Sequence, residues 1–210
     1  MAETTDQGQT RRIVVTEYVT LDGLMEEPGK WSFPFWSDEA AKFKYEELYA
    51  SEMMLLGRVT YEGFAKAWPT MTDTGDFGDR MNTMPKYVVS TTLETAEWQN
   101  SRIIKENVAE EIAALKQQPG MDILVAGSGQ LLRTLMAHDL VDEYRLMLHP
   151  IVLGAGKRLF QDGIDTTVLR QTGTRQLGNG VTVLYYAPVR QQEGATETDA
   201  ADAGATETVG

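Results

Sequence analysis

The sequence predicts an α/β fold whose central sheet of about eight strands is mostly parallel and ends in an antiparallel C-terminal hairpin. Three observations lead to it. Short β-branched or aliphatic runs alternate with helix-like runs, so that successive strands are joined by helical crossovers and lie parallel. Two crossings, MMLLGRVTYE from Met53 and DILVAGSGQLL from Asp122, pass from an apolar run through glycine into a helix-like run. Near the end of the chain, Gly178-Asn179-Gly180 separates two strand-like segments, which is a hairpin signal.

Arg12–Val19 is rich in β-branched residues and reads as the first strand. The long loop from Thr20 to Ser37 holds Gly23, Pro28, Gly29 and Pro34. Ser37 then caps a helix whose first turn carries Asp38 and Glu39, where carboxylates suit the helix dipole. Met53–Leu56 is a buried strand and Arg58–Ala67 the helix leaving it. Thr70–Thr83 reads as a polar, glycine-containing connection. Tyr87–Ser90 and Arg102–Ile104 are short strands. Asn107 with Glu110 forms a capping-box pattern, so a helix should run to about Gln118. Asp122–Ala126 and Gln130–Ala137 give the next strand and helix. Glu143–His149 alternates, with Asp142-Glu143 opening an exposed strand, and Thr167–Leu177 and Val181–Ala187 form the hairpin.

The two glycine crossings carry the chemistry. A strand that ends in glycine lets backbone come close to a ligand, and the helix that follows offers unpaired N–H groups and a positive dipole end. Two such bends in one small domain suggest a ligand with more than one phosphate.

Composition narrows the alternatives. At 210 residues and 42% hydrophobic, the chain can build one sizeable core. From about Gln191 it loses aliphatic periodicity and repeats Gly-Ala-Thr-Glu-Thr, so the domain is expected over 11–188, with a flexible stretch 1–10 and an acidic disordered tail 189–210. The net charge is −12, and five carboxylates after residue 190 (Glu193, Glu197, Asp199, Asp202, Glu207) leave −7 for residues 1–190. That disfavours nucleic acid and anionic membranes, which require clustered Lys and Arg. It does not disfavour a phosphorylated cofactor, because screening over about 8 Å lets adjacent donors outweigh a diffuse field. Without cysteine there are no disulfides or thiolate metal sites, and no apolar run reaches the roughly 18 residues of a membrane span. The N-terminus has no apolar signal core, so a cytoplasmic location is the default.

Read in order, VTLDG from Val19, LGRVTYE from Leu56, KYVVST from Lys86, VAGSG from Val125 and LVDEYRL from Leu140 resemble the dihydrofolate reductase-like superfamily. HPIVLGAGKRLF from His149 is similar to one branch of it, the stand-alone relatives of the riboflavin-biosynthesis reductase domain. The resemblance spans residues 11 to 188. It implies a three-layer fold that binds NADPH across the C-terminal edge of the sheet, and commonly a homodimer. Sheet geometry also favours ligands at that edge.

The resemblance assigns Gly57, Arg58 and Thr60 to the adenosine-side phosphates, and a guanidinium fits phosphate in a bidentate way. Ser90, Thr91 and Thr92 offer hydroxyls where the family places a 2′-phosphate, with Lys86 a weaker candidate; the alternative is a polar strand end that caps the next turn. Gly127, Ser128 and Gly129 correspond to the pyrophosphate turn beside the nicotinamide, although Leu132 takes the third glycine position of a Rossmann fingerprint. Asp22-Gly23 sits where the family's loop closes over nicotinamide and substrate, or is a plain Asp-Gly turn. Leu24 replaces the basic residue that typically holds a ribosyl phosphate, which argues against a phosphorylated pyrimidine. Trp31, Phe33, Phe35 and Trp36 either stack on a flat heterocycle, Trp36 being the candidate substrate residue, or anchor the loop on the core. Asp38 or Glu39 corresponds to the single carboxylate with which dihydrofolate reductases bind and help protonate a pterin, or caps the helix.

His138 and His149 are isolated, and no metal is expected. The reading is an NADPH-dependent reductase of a small pterin-like or pyrimidinone-like heterocycle, with Asp22 and Asp38 as catalytic candidates. Its alternative is a non-catalytic nucleotide-binding dimer that keeps the fold.

Overall fold

The computed structural model describes residues 10–190, so the expectations for most of the N-terminal stretch and most of the acidic tail lie outside the described residues. The elements are β1 (Ile13–Thr20), α1 (Asp38–Tyr49), β2 (Ser51–Gly57), α2 (Arg58–Ala67), α3 (Gly75–Thr83), β3 (Lys86–Val89), β4 (Ser101–Ile104), α4 (Val108–Gln117), β5 (Asp122–Ala126), α5 (Gly129–Ala137), β6 (Glu143–His149), β7 (Leu169–Gln176) and β8 (Thr182–Pro188). They build one eight-stranded sheet in the order β4-β3-β2-β5-β1-β6-β8-β7. Its first six strands are parallel, and β8 runs antiparallel to both β6 and β7.

The central strands read as continuous apolar runs because both of their faces are covered. Ile13, Val15, Met53, Leu55, Ile123 and Val125 pack with Ile112 and Leu115 of α4 and Leu131, Leu132 and Leu135 of α5. The alternate residues Val14, Met54, Leu56 and Leu124 pack with Leu48 of α1, Tyr61 of α2 and Met81 of α3. A smaller cluster joins Ala40 and Phe43 of α1 to Met147, Val183 and Leu177. The result is three layers, helix on sheet on helix. None of the described helices is long and apolar enough to cross a membrane.

The amino ends of the strands are stitched by side chains. Arg12 pairs with Asp122 at 2.7 Å and Glu143 at 3.2 Å, tying β1 to both of its neighbours, while Arg11 holds Glu52 at 3.0 Å. At the other end, the Ser37 hydroxyl accepts the Ala40 amide at 3.1 Å and donates to the Leu177 carbonyl, joining the start of α1 to the hairpin. Gly178, Asn179 and Gly180 all have positive φ (73°, 46° and 77°), as a tight turn demands, and the Asn179 amide donates to the Trp36 carbonyl.

Three local expectations are corrected. The stretch read as a polar connection contains α3, which Met81 and the Phe77–Trp68 contact hold in place despite two glycines. Asn107 adopts φ 47°, ψ 43° and its side chain does not cap α4, so no capping box forms. β6 is not an exposed strand but lies between β1 and β8, with Asp142 paired to Lys116 and Glu143 to Arg12 and Arg145.

Candidate functional site

A right-handed α/β crossover brings every helix that follows a parallel strand back from the strand's carboxyl end, so α1, α2 and α5 all start at one edge of the sheet. The adjacency of β3, β2, β5 and β1 lines up along that edge Ser90-Thr91, then Gly57-Arg58, then Gly127–Gly129, then the end of β1 with Asp22. At roughly 4.8 Å per strand, the row covers about 14 Å.

The two glycine bends meet. The Gly57 N–H donates to the Ser128 hydroxyl at 2.9 Å, and that hydroxyl donates to the Ala126 carbonyl at 3.1 Å. Gly127 and Ser128 are both left-handed, with φ 59° and 68°. A Cβ on Gly127 would come within 2.9 Å of the Thr60 hydroxyl, and one on Gly57 would touch Ser128 at 3.5 Å. Thr60 and Ser128 therefore shape the cradle. The donors that remain are the first-turn amides of α2 and α5, which have no helical acceptor. Arg58 lies on the outer rim, its Nη1 donating to both carboxylate oxygens of Glu62 at 3.1 and 2.9 Å, and its side chain is 43% exposed, so the guanidinium is accessible to a ligand.

Other candidates divide. The Ser90 hydroxyl accepts the amides of Thr92 and Leu93 at 3.2 and 2.9 Å, capping the turn, while Thr91 is exposed beside it. Asp22 is a loop clamp: its carboxylate accepts the Thr20 hydroxyl at 2.6 Å and the Gly154 and Leu153 amides at 2.8 and 3.3 Å. These bonds, Thr20 first, hold the Asp22 carboxyl below the usual range. They also fasten the loop after β1 to the loop after β6, and Met25 of the former reaches Gly129: a Cβ there would lie 2.9 Å from its sulfur. Trp31 and Phe35 anchor the loop against the buried ring of His149, at 5.1 and 6.0 Å between centroids, whereas Phe33 and Trp36 face solvent. Asp38 and Glu39 are exposed at the first turn of α1.

Lys86 does not belong with them. It opens β3, at the opposite edge of the sheet from Ser90, and is fully buried with its ammonium donating to the carbonyls of Asn82, Met84 and Gln99. A cavity of about 910 Å³ between α2, α3 and the 95–99 segment, floored by Tyr61 and Trp98, also stands apart from the paired bends.

Glu17 was absent from the sequence-based candidates. It is 2% exposed on β1, and one carboxyl oxygen has no hydrogen-bond partner. Burial pushes its carboxyl well above the usual range; the Lys44 ammonium and the Gly127 amide oppose that shift, and the Glu47 carboxylate adds to it. Lys44 and Arg145 both pair with Glu47, so a charged cluster lies between α1 and the sheet. A lone acid in an otherwise apolar or β-branched strand was the available signal.

Comparison with known proteins agrees with this layout. Residues 11–183 match the RibD C-terminal domain. The chain is 32% identical over 186 residues to the uncharacterized protein YyaP of Bacillus subtilis (strain 168), covering 87% of this chain and 97% of that one. Among solved structures, a putative riboflavin biosynthesis protein from Shewanella sp. PV-4 superposes with a TM-score of 0.69 at 18% identity, covering 85% of this chain and 99% of the other. Dihydrofolate reductase from Enterococcus faecalis, solved with NADP(H), superposes with a TM-score of 0.57 at 16% identity, covering 84% and 96%. The sheet order, the paired bends at its carboxyl edge and a family match over most of the chain converge: the protein belongs to the RibD C-terminal domain family, within the dihydrofolate reductase-like fold.

Proposed function

We propose that this chain is an NADPH-dependent reductase of a small heterocycle, pterin-like or pyrimidinone-like, working in the cytoplasm as a homodimer. The observation that carries this reading is the junction of the two bends through the Gly57 amide and the Ser128 hydroxyl, which puts two helix N-termini on one groove. The cradle fits a diphosphate because no side chain caps the first-turn amides of α2 and α5. In the proposal, Arg58 and Thr91 meet the adenosine-side phosphates. Thr60, Ser128 and Ser90 fix the backbone that binds, and Asp22 holds the covering loop. Trp36 and Asp38 rim the substrate side of the groove. The bound coenzyme would supply the hydride. The protein aligns the pair and excludes water.

Titration of the full chain with NADPH, NADH and ATP, read by tryptophan fluorescence, tests the reading, and preference for ATP would overturn it. Arg58→Ala is expected to weaken NADPH about tenfold and to remove its advantage over NADH, since a charge-assisted hydrogen bond is worth about 1.5–3 kcal/mol in such a site. Unchanged selectivity would strip Arg58 of the role.

One observation favours a non-catalytic nucleotide-binding dimer: the Asp22 carboxylate is already taken up by the loop it holds. Under that reading NADPH binds but no pterin or pyrimidinone is reduced. Specific oxidation at 340 nm excludes it. The exposed residues Val168 and Val189, which flank β7 and β8 and are joined by a backbone hydrogen bond, supply apolar surface for a second copy, which sedimentation would detect.

A further inference from the structure

β1 and β5 part company beside Glu17. Their last paired residues are Thr16 and Ala126; β5 then ends and turns through Gly127 into α5, whereas β1 continues to Thr20 with a strand on its β6 side only. Glu17 is the first residue of β1 beyond that fork, opposite Leu146 on β6 and close to the Gly127 amide. It therefore stands where the Gly127 bend leaves the sheet.

A buried carboxyl with an unpartnered oxygen costs stability unless a ligand completes it. The charged groups around it are Lys44 and Glu47 of α1. Lys44 is committed to Glu47 and the Thr16 hydroxyl, Arg145 of β6 is committed to Glu47 and Glu143, and the Gly127 amide is the neutral partner on the β5 side. With its cationic neighbours committed elsewhere, burial favours the neutral form of Glu17, which carries one O–H donor and one carbonyl acceptor. A primary carboxamide presents the complementary pair, one carbonyl acceptor and an NH₂ donor.

Resting on the reading of the bends as a coenzyme cradle, we infer that Glu17 is the residue that recognises the carboxamide of the nicotinamide, through a two-point acid–amide pairing at the fork between β1 and β5. Only the protonated side chain offers both bonds. Ionisation removes the donor and leaves a buried anion against the carboxamide oxygen, so affinity for the nicotinamide half falls as pH rises through the ionisation of Glu17.

The experiment compares NADPH with 2′-phospho-ADP-ribose, which has the adenosine 2′-phosphate and the diphosphate but no nicotinamide. Binding to the full-length protein is followed by fluorescence from pH 6 to pH 9 in the wild type, Glu17→Gln and Glu17→Leu. The 2′-phosphate, the one phosphate that titrates in this range, is shared by both ligands and cancels in their ratio. In the wild type, the advantage of NADPH over 2′-phospho-ADP-ribose should shrink as pH rises. Glu17→Gln keeps a donor and an acceptor but cannot ionise, so its advantage should match the wild type at pH 6 and stay flat. Glu17→Leu should lose NADPH at least tenfold and hold 2′-phospho-ADP-ribose unchanged. Equal loss of both ligands would make Glu17 a structural residue, and an unaltered pH profile in Glu17→Gln would overturn the pairing even where the leucine variant fails to fold. Failure of the wild type to bind either ligand would instead overturn the coenzyme reading itself.

Discussion

Lys86→Met is expected to destabilise the protein by about 2–4 kcal/mol, the range in which removal of a buried, fully hydrogen-bonded charge falls. The ammonium donates to the carbonyls of Asn82 and Met84 at 2.8 Å and of Gln99 at 3.2 Å, and lies 4.1 Å from the Trp98 ring centroid. It ties the end of α3 to the turn that leads into β4. Methionine fills similar space, so the cost comes from carbonyls left without a donor rather than from a cavity. The urea midpoint should drop with little change in m. Burial lowers the Lys86 pKa from the ordinary 10.5 to about 8. The folded state therefore binds fewer protons than the unfolded state between about pH 8 and 10.5, and wild-type stability relative to the variant should rise across that window. Below it, both states are protonated and the difference is level. A variant as stable as the wild type would show that the three carbonyls find other donors.

The same residue shows how strand direction limits a reading made from motifs. Lys86 and Ser90 lie four residues apart in one apolar run, and both looked like neighbours of a phosphate. In a strand that spacing is about 13 Å, and it puts them at opposite edges of the sheet. The central strands themselves were legible because burial on both faces makes them uninterrupted aliphatic segments, as at Met53–Leu56 and Ile123–Val125. α3 was not, because Gly75 and Gly78 weaken its local preference and its formation depends on Met81 and Met84 meeting Leu56 of β2 and Val88 of β3. Asn107 had the residue types of a capping box, yet the chain enters α4 through a left-handed turn that the pattern does not encode.

For the site, the glycine bends were legible in the chain, since a backbone that turns sharply from strand to helix is a local event. The contacts of the side chains between them were not. Ser128 was read as part of a phosphate turn and Ser90 as a phosphate hydroxyl, and in the fold each hydroxyl closes a backbone contact, one to Gly57 across 71 residues and the other within its own turn. Asp22 looked like a catalytic acid, and its partners are amides 131 and 132 residues away. Glu17 was absorbed into a β-branched strand because its significance lies in where β5 stops, and a strand's end is set by its partner as much as by its own residues. Polar side chains acquire their roles from the topology, whereas glycine bends announce theirs in the chain.

Gly127→Val should abolish measurable NADPH binding, a loss beyond about a hundredfold, and destabilise the fold by about 2–5 kcal/mol. Two costs add. The backbone at φ 59° is left-handed, which costs an L side chain about 1–2 kcal/mol and a β-branched one at least that. The new Cβ would also lie 2.9 Å from the Thr60 hydroxyl and 3.3 Å from its methyl, so the first turn of α2 must move, an overpacking cost of about 1–3 kcal/mol. Gly57→Ala separates fold from ligand. Gly57 has φ −77° and its added Cβ would make ordinary contact with Ser128 at 3.5 Å, so stability should stay within about 1 kcal/mol of the wild type. If the two bends grip one diphosphate, the added methyl still stands in the groove between α2 and α5 and weakens NADPH without disturbing the helices. Thermal unfolding and fluorescence titration on the same samples read both effects. NADPH bound at wild-type affinity by Gly127→Val would mean that the ligand lies elsewhere, because no diphosphate could sit on a turn so displaced and keep its contacts.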